Sequence, residues 1–111
     1  MTRKSKVIAT LGNSTDSILE KIVDGVADAV LIDTYYGEEE ENVSRIEKIK
    51  QLREKLNKNT AIIYDLDHIY AQSKYKLIKI EEESVDFACK HDVDFIACPF
   101  VSNIDEIRKV K

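Results

Sequence analysis

The sequence predicts an α/β domain built on a parallel sheet, and three observations carry that prediction. Four short apolar runs are separated by segments of helical periodicity. The runs are β-branched and nearly continuous rather than alternating, as in parallel strands covered on both faces. Helix-start and helix-stop residues fall between them. The resulting order, βα-βα-β-connector-α-βα, is that of a parallel sheet with right-handed crossovers.

The first strand is Val7-Ile8-Ala9-Thr10-Leu11. The helix after it opens with Ser17-Ile18-Leu19-Glu20, a capping box in which the serine accepts from a backbone N–H and the glutamate reaches back. Its buried stripe is Ile18, Leu19, Ile22 and Val23, and Gly25 is expected to end it in a left-handed conformation, with Val26 as the apolar residue beyond. The second strand is Ala29-Val30-Leu31-Ile32. The second helix begins within Glu38-Glu39-Glu40-Glu41, where negative charge suits the positive end of the helix dipole. Val43, Ile46, Ile49, Leu52 and Leu56 form its stripe at steps of three and four, and Lys55 and Lys58 sit near its other end.

The third strand is Ala61-Ile62-Ile63-Tyr64. From Asp67 to Lys79 runs a connector with a weak strand-like alternation at Tyr75, Leu77 and Lys79. The third helix spans about Glu81 to His91 and buries Val85, Ala88 and Cys89. The fourth strand is Val93-Asp94-Phe95-Ile96-Ala97. A short last helix opens with a second capping box, Asn103-Ile104-Asp105-Glu106, and has Ile104, Ile107 and Val110 as its stripe.

Composition bounds the function. A chain of 111 residues with 43% hydrophobic and 34% charged residues reads as one soluble domain. A net charge of −4 argues against a nucleic-acid footprint. No apolar run approaches a membrane span. The basic start, Met1 to Lys6, precedes an apolar stretch too short for a signal peptide, so the expected location is cytoplasmic. Cys89 and Cys98 lack metal-binding spacing and read as buried or half-buried thiols.

Several stretches, in order, resemble the pyruvate kinase family. Arg3-Lys4-Ser5-Lys6-Val7-Ile8-Ala9-Thr10-Leu11-Gly12 is similar to the opening of that family's barrel, where a basic stretch leads into a strand ending Thr-x-Gly-Pro. Asp24-Gly25-Val26-Ala27-Asp28-Ala29-Val30 resembles the exit from its first helix. Ala61-Ile62-Ile63-Tyr64-Asp65-Leu66-Asp67 resembles its third strand. Asp92 to Val101 resembles the strand that follows its small lid domain. The resemblance implies a (βα)4 half-barrel-like parallel sheet spanning 1–111, with residues 67–79 in place of the lid domain. It also implies that the catalytic lysine and the acidic magnesium ligands, which the family carries later in the barrel, are missing.

The part that resembles the family departs from its pattern. The family's Arg-x-Asn-x-Ser-His-Gly run matches Leu31-Ile32-Asp33-Thr34-Tyr35-Tyr36-Gly37. The phosphate-binding arginine is thus Leu31, and the asparagine and serine that help hold potassium are Asp33 and Tyr35. Asn13 stands at the family's proline. Asp67-His68-Ile69-Tyr70 replaces the family's Lys-Gly-Pro-Glu-Ile-Arg run. Asp65 alone matches a potassium ligand directly. Magnesium or potassium is implied by resemblance only.

Barrels place function at the C-terminal ends of strands, where Thr10, Asn13, Asp33, Asp65, Asp67 and His68 are expected. Asp33, Asp65 and Asp67 offer oxygens for a hard cation, or else cap helices and face water. His68 beside Asp67 is an acid-base candidate or a solvated connector residue. Tyr35 and Tyr36 would fill the old phosphate pocket or serve an interface. Lys74, Lys76 and Lys79 with Tyr75 read as a solvated connector, and Cys98 as a half-buried thiol.

Four barrel strands leave two bare edges, which invite association. The expected remedy is a homodimer or larger homo-oligomer in which the fourth strand of each chain pairs with the first of the other. The expected function is therefore that of a pyruvate kinase-like protein without that activity on its own, acting through self-association or through a full-length pyruvate kinase. The alternatives are one component of a split phosphotransferase and a small metal- or anion-binding domain. No nucleic-acid or membrane partner is expected.

Overall fold

The structure, a computed structural model, describes residues 5–25, 27–33, 39–65 and 82–98, together with Ile104 and Arg108. Strand β1 (Ile8–Leu11) leads through a 3-10 segment (Asn13–Ile18) into helix α1 (Leu19–Asp24). Strand β2 (Ala29–Asp33), helix α2 (Glu39–Leu56), strand β3 (Ala61–Asp65), helix α3 (Glu82–Lys90) and strand β4 (Phe95–Ala97) follow. The four strands form one parallel sheet in the order β1-β2-β3-β4. The connector at 67–79 lies outside the described residues, as does most of the expected last helix. Of that helix, Ile104 is helical but 64% exposed, which is not the buried stripe position the periodicity predicted.

A strand order that never reverses has a geometric consequence. Right-handed crossovers then put every helix on the same face of the sheet. The core obeys this. Leu11, Val30, Ile32, Ile62 and Tyr64 from the strands pack with Leu19 and Val23 of α1, with Ile46, Ile49 and Leu52 of α2, and with Phe87 and Ala88 of α3. Alternate strand residues point the other way. Ile8, Leu31, Ile63 and Phe95 therefore share the opposite face, outside that core, with Ile8 55% and Phe95 60% exposed. Among the described residues, α1, α2 and α3 all lie on one side of the sheet.

Helix ends also differ from the sequence reading. Ser17 does not cap α1 but lies inside the 3-10 segment. The Thr15 hydroxyl holds the preceding turn instead, accepting from the Gly12 N–H and donating to the Gly12 carbonyl, both at 2.9 Å. Ile18 is exposed rather than buried. Gly25 is not left-handed, at φ −87°. Its glycine identity answers to space, because a Cβ there would lie 2.6 Å from the Lys21 carbonyl oxygen.

The left-handed C-terminal residues are Asn57 (φ 53°) and Asp92 (φ 51°). After α2, Lys58 N–H bonds the Arg53 carbonyl and Asn57 N–H that of Glu54. After α3, Val93 N–H bonds Ala88 and Asp92 N–H bonds Cys89. Both pairs are Schellman closures, and both types of residue tolerate the left-handed region. On α3 the buried aromatic is Phe87, stacked on Tyr64 with centroids 5.0 Å apart. Cys89 is exposed, contrary to expectation, and Cys98 is half-buried.

Candidate functional site

Two polar systems mark the two ends of the sheet. At the N-terminal ends of the strands, aspartates tie each even-numbered strand to the one before it. The Asp28 carboxylate accepts from the Val7 N–H at 2.7 Å, just ahead of β1. The Asp94 carboxylate accepts from the Ile62 N–H at 2.8 Å and from Arg53 Nη1 at 2.8 Å. Arg53 also donates to the Thr60 carbonyl at 3.0 Å. These contacts fix strand register and belong to stability, as that end of parallel α/β sheets generally does.

The C-terminal ends carry the residues singled out from the sequence. Asp33 and Asp65 are direct register partners at the ends of β2 and β3, both half-buried, and both engaged in further interactions. The structure thus brings together the two carboxylates expected to be adjacent. Thr10 is exposed near the end of β1, in register with Leu31. Asp67, His68, Tyr35 and Tyr36 lie outside the described residues. Two carboxylates suit a hard cation such as magnesium or potassium in donor type. Among the described residues, however, no group of three or more histidine, cysteine or acidic side chains is placed to hold a metal.

Asn13 has a partner that the sequence reading missed. Arg45, on α2, is only 3% exposed and reaches across to the segment after β1. Its Nε donates to Asp16 Oδ1 at 2.7 Å and its Nη2 to Asp16 Oδ2 at 3.0 Å. Nη2 also donates to Asn13 Oδ1 at 2.8 Å, and Nη1 to Asn42 Oδ1 at 3.0 Å. Glu41 adds a longer ion pair at 3.7 Å. The hydrogen bond to Asp16 raises the Arg45 pKa above its ordinary value, against the opposing effect of burial. A planar fork bound to a carboxylate on one edge and amide oxygens on the others has little capacity left for a ligand. The arrangement therefore anchors the segment after β1 onto α2. A signal was present in the sequence, since Asn42 and Arg45 continue the stripe of Ile49, Leu52 and Leu56 upstream at the same spacing.

The next strand layer is apolar. Leu31 stands in register with Ile63, and Ile63 with Phe95. Among the described strand residues on this face, from Ile8 to Ala97, none is lysine or arginine.

Fold and site together define a parallel α/β sheet of unreversed strand order, with helices on one face and a carboxylate pair at the strand ends. The sequence is pyruvate kinase-like. It is 37% identical to the pyruvate kinase of Thermotoga maritima over 86 residues, which is 76% of this chain and 18% of that enzyme. It is 35% identical to the pyruvate kinase of Haemophilus influenzae over 66 residues, 58% of this chain and 14% of that enzyme. It is 34% identical to the enzyme of Buchnera aphidicola over 85 residues, 75% of this chain and 17% of that enzyme. The chain thus spans less than a fifth of the length of these curated relatives. No family model matches it. No helix among the described residues is long and apolar enough to cross a membrane.

Proposed function

We propose that this chain is a pyruvate kinase-like half-barrel that does not transfer phosphate from phosphoenolpyruvate to ADP by itself, and that it acts by associating with a second polypeptide. One observation carries the proposal: among the described residues, the α-helices pack against one face of the sheet only. Parallel sheets are stable with both faces covered. In a (βα)8 barrel the second face is covered by the strands that close the ring. Here the face of Ile8, Leu31, Ile63 and Phe95 lies outside the helical core. A second copy of the chain, or a full-length pyruvate kinase, would supply strands to pair with its outer strands and cover that face.

Absence of activity follows from charge. Phosphoryl transfer depends on cations aimed at the moving group. The reading that position 31 matches the family's phosphate-binding arginine supports this, because the residue there is leucine, in register with Ile63. Size-exclusion chromatography with light scattering at micromolar concentration should give an assembly larger than 12.7 kDa. A pyruvate kinase assay coupled to lactate dehydrogenase should stay at background. A monomer, or clear turnover by the purified chain, refutes the proposal.

The register pairing of Asp33 with Asp65 favours a second reading, a small cation-binding domain. Its two carboxylates would supply part of a ligand set.

A further inference from the structure

We infer that the second polypeptide is another copy of this chain, joined by parallel pairing of β1 of one copy with β4 of the other, and that opposite charges at the two sheet margins select that joint. The inference rests on the association proposed above and names its partner and contact residues.

The two outer strands are unlike. The β1 margin carries exposed Lys6, Val7 and Ile8. The β4 margin carries exposed Asp92, Asp94 and Phe95. Among the described residues no strand pairs with the outer side of either one. Such margins present backbone N–H and C=O groups ready to pair with another chain.

Their charges have opposite sign and lie at the same end. Lys6 precedes β1 and Asp92 precedes β4, both at the N-terminal ends of parallel strands. Parallel pairing sets like ends together, so Lys6 of one copy faces the Asp92 region of its partner. Antiparallel pairing would carry Lys6 to the far end of β4. Parallel pairing of β1 with β1, or of β4 with β4, would set like charges together, and antiparallel pairing of like strands would leave Lys6 and Asp92 with no opposite charge across the joint. Neither Lys6 nor the Asp92 carboxylate makes an ion pair among the described residues. Asp94, by contrast, is committed to Arg53 and Ile62. In the proposed joint Ile8 and Phe95 leave water on the two apposed edges, and two-fold symmetry repeats the contact.

The test is charge exchange, read by sedimentation velocity on the full chain. Each ion pair is peripheral and occurs twice, so Lys6→Glu or Asp92→Asn should weaken the dimer about ten-fold. Asparagine keeps the left-handed backbone at position 92, so Asp92→Asn reports on charge rather than on folding. Lys6→Glu with Asp92→Lys should restore association to within about three-fold of the native chain, and thermal melts check that each variant is folded. Raising salt from about 0.05 to 0.5 M should weaken the native dimer and the exchanged pair alike. A native dimer indifferent to the single changes, or not restored by the exchange, overturns the joint and leaves the association standing. A native chain that is monomeric removes both.

Discussion

Replacing Arg45 with methionine should cost about 2–3 kcal/mol. The side chain is almost fully buried and its guanidinium makes hydrogen bonds to Asp16, Asn13 and Asn42 between 2.7 and 3.0 Å. Breaking a fully buried ion pair costs about 3–5 kcal/mol. Asp16 is 45% exposed and recovers water when its partner leaves, which lowers the figure. Asn42 is buried and loses an acceptor contact, at about 1–3 kcal/mol for an unsatisfied group, which keeps the figure from falling far. At roughly 4 °C per kcal/mol for a chain of this size, the melting temperature should drop by about 10 °C. Asp16→Ala should cost at least as much, because it leaves a buried cation without its carboxylate. The double variant should lose less than the sum of the two singles by about 1 kcal/mol or more.

The pH dependence follows from sign. A raised pKa on a cationic group contributes stability that is complete below the unfolded value and is lost only as pH rises through the folded one. For Arg45 that lies far above neutrality, so the decrement from Arg45→Met should stay constant from about pH 6 to 9. Circular dichroism melts of the four proteins provide the measurement. A drop below about 3 °C for Arg45→Met, or strict additivity in the cycle, would show that the clamp is a surface decoration and refute the reasoning.

Two other outcomes are expected. Asp94→Ala removes both the Arg53 contact and the acceptor for the Ile62 N–H, so it should destabilise the chain by about 1–3 kcal/mol in urea melts; Asp94→Asn, which keeps one acceptor oxygen, should recover part of that loss. If the Asp33–Asp65 pair holds a cation, magnesium, calcium or potassium at ten times its dissociation constant should add ~1.4 kcal/mol and raise the melting temperature by about 5 °C, an effect absent in Asp33→Asn; no shift with any of the three ends that reading.

Much of the framework was legible because its signals are local. Apolar runs located all four strands to within about two residues, and steps of three and four located α2 and its stripe. The adjacency of Asp33 and Asp65 followed from their equivalent positions at strand ends. What could not be read depends on partners distant in sequence. Arg45 falls on the upstream continuation of the α2 stripe, but what it binds there cannot be read until Asp16, 29 residues away, is known to face it. Cys89 and Phe87 were exchanged in burial because a helix of nine residues leaves its rotational setting open until Tyr64 fixes it. Gly25 was assigned left-handed from residue type alone, whereas its role is clearance from a carbonyl in the preceding turn. That α1, α2 and α3 share one face needed the strand order, since each strand reads as apolar whichever way the crossovers run.

The helix-to-strand turns have one length throughout: residues 25–28, 57–60 and 91–94, four in each case. The strand-to-helix links span 12–18, 34–38 and 66–81, a range of seven, five and sixteen. One rim of the sheet is therefore cut to a fixed gauge by Schellman closures and aspartate ties, while the opposite rim is free to vary in length. Changes of length can be absorbed on the variable rim without disturbing the hinges that set the strands side by side.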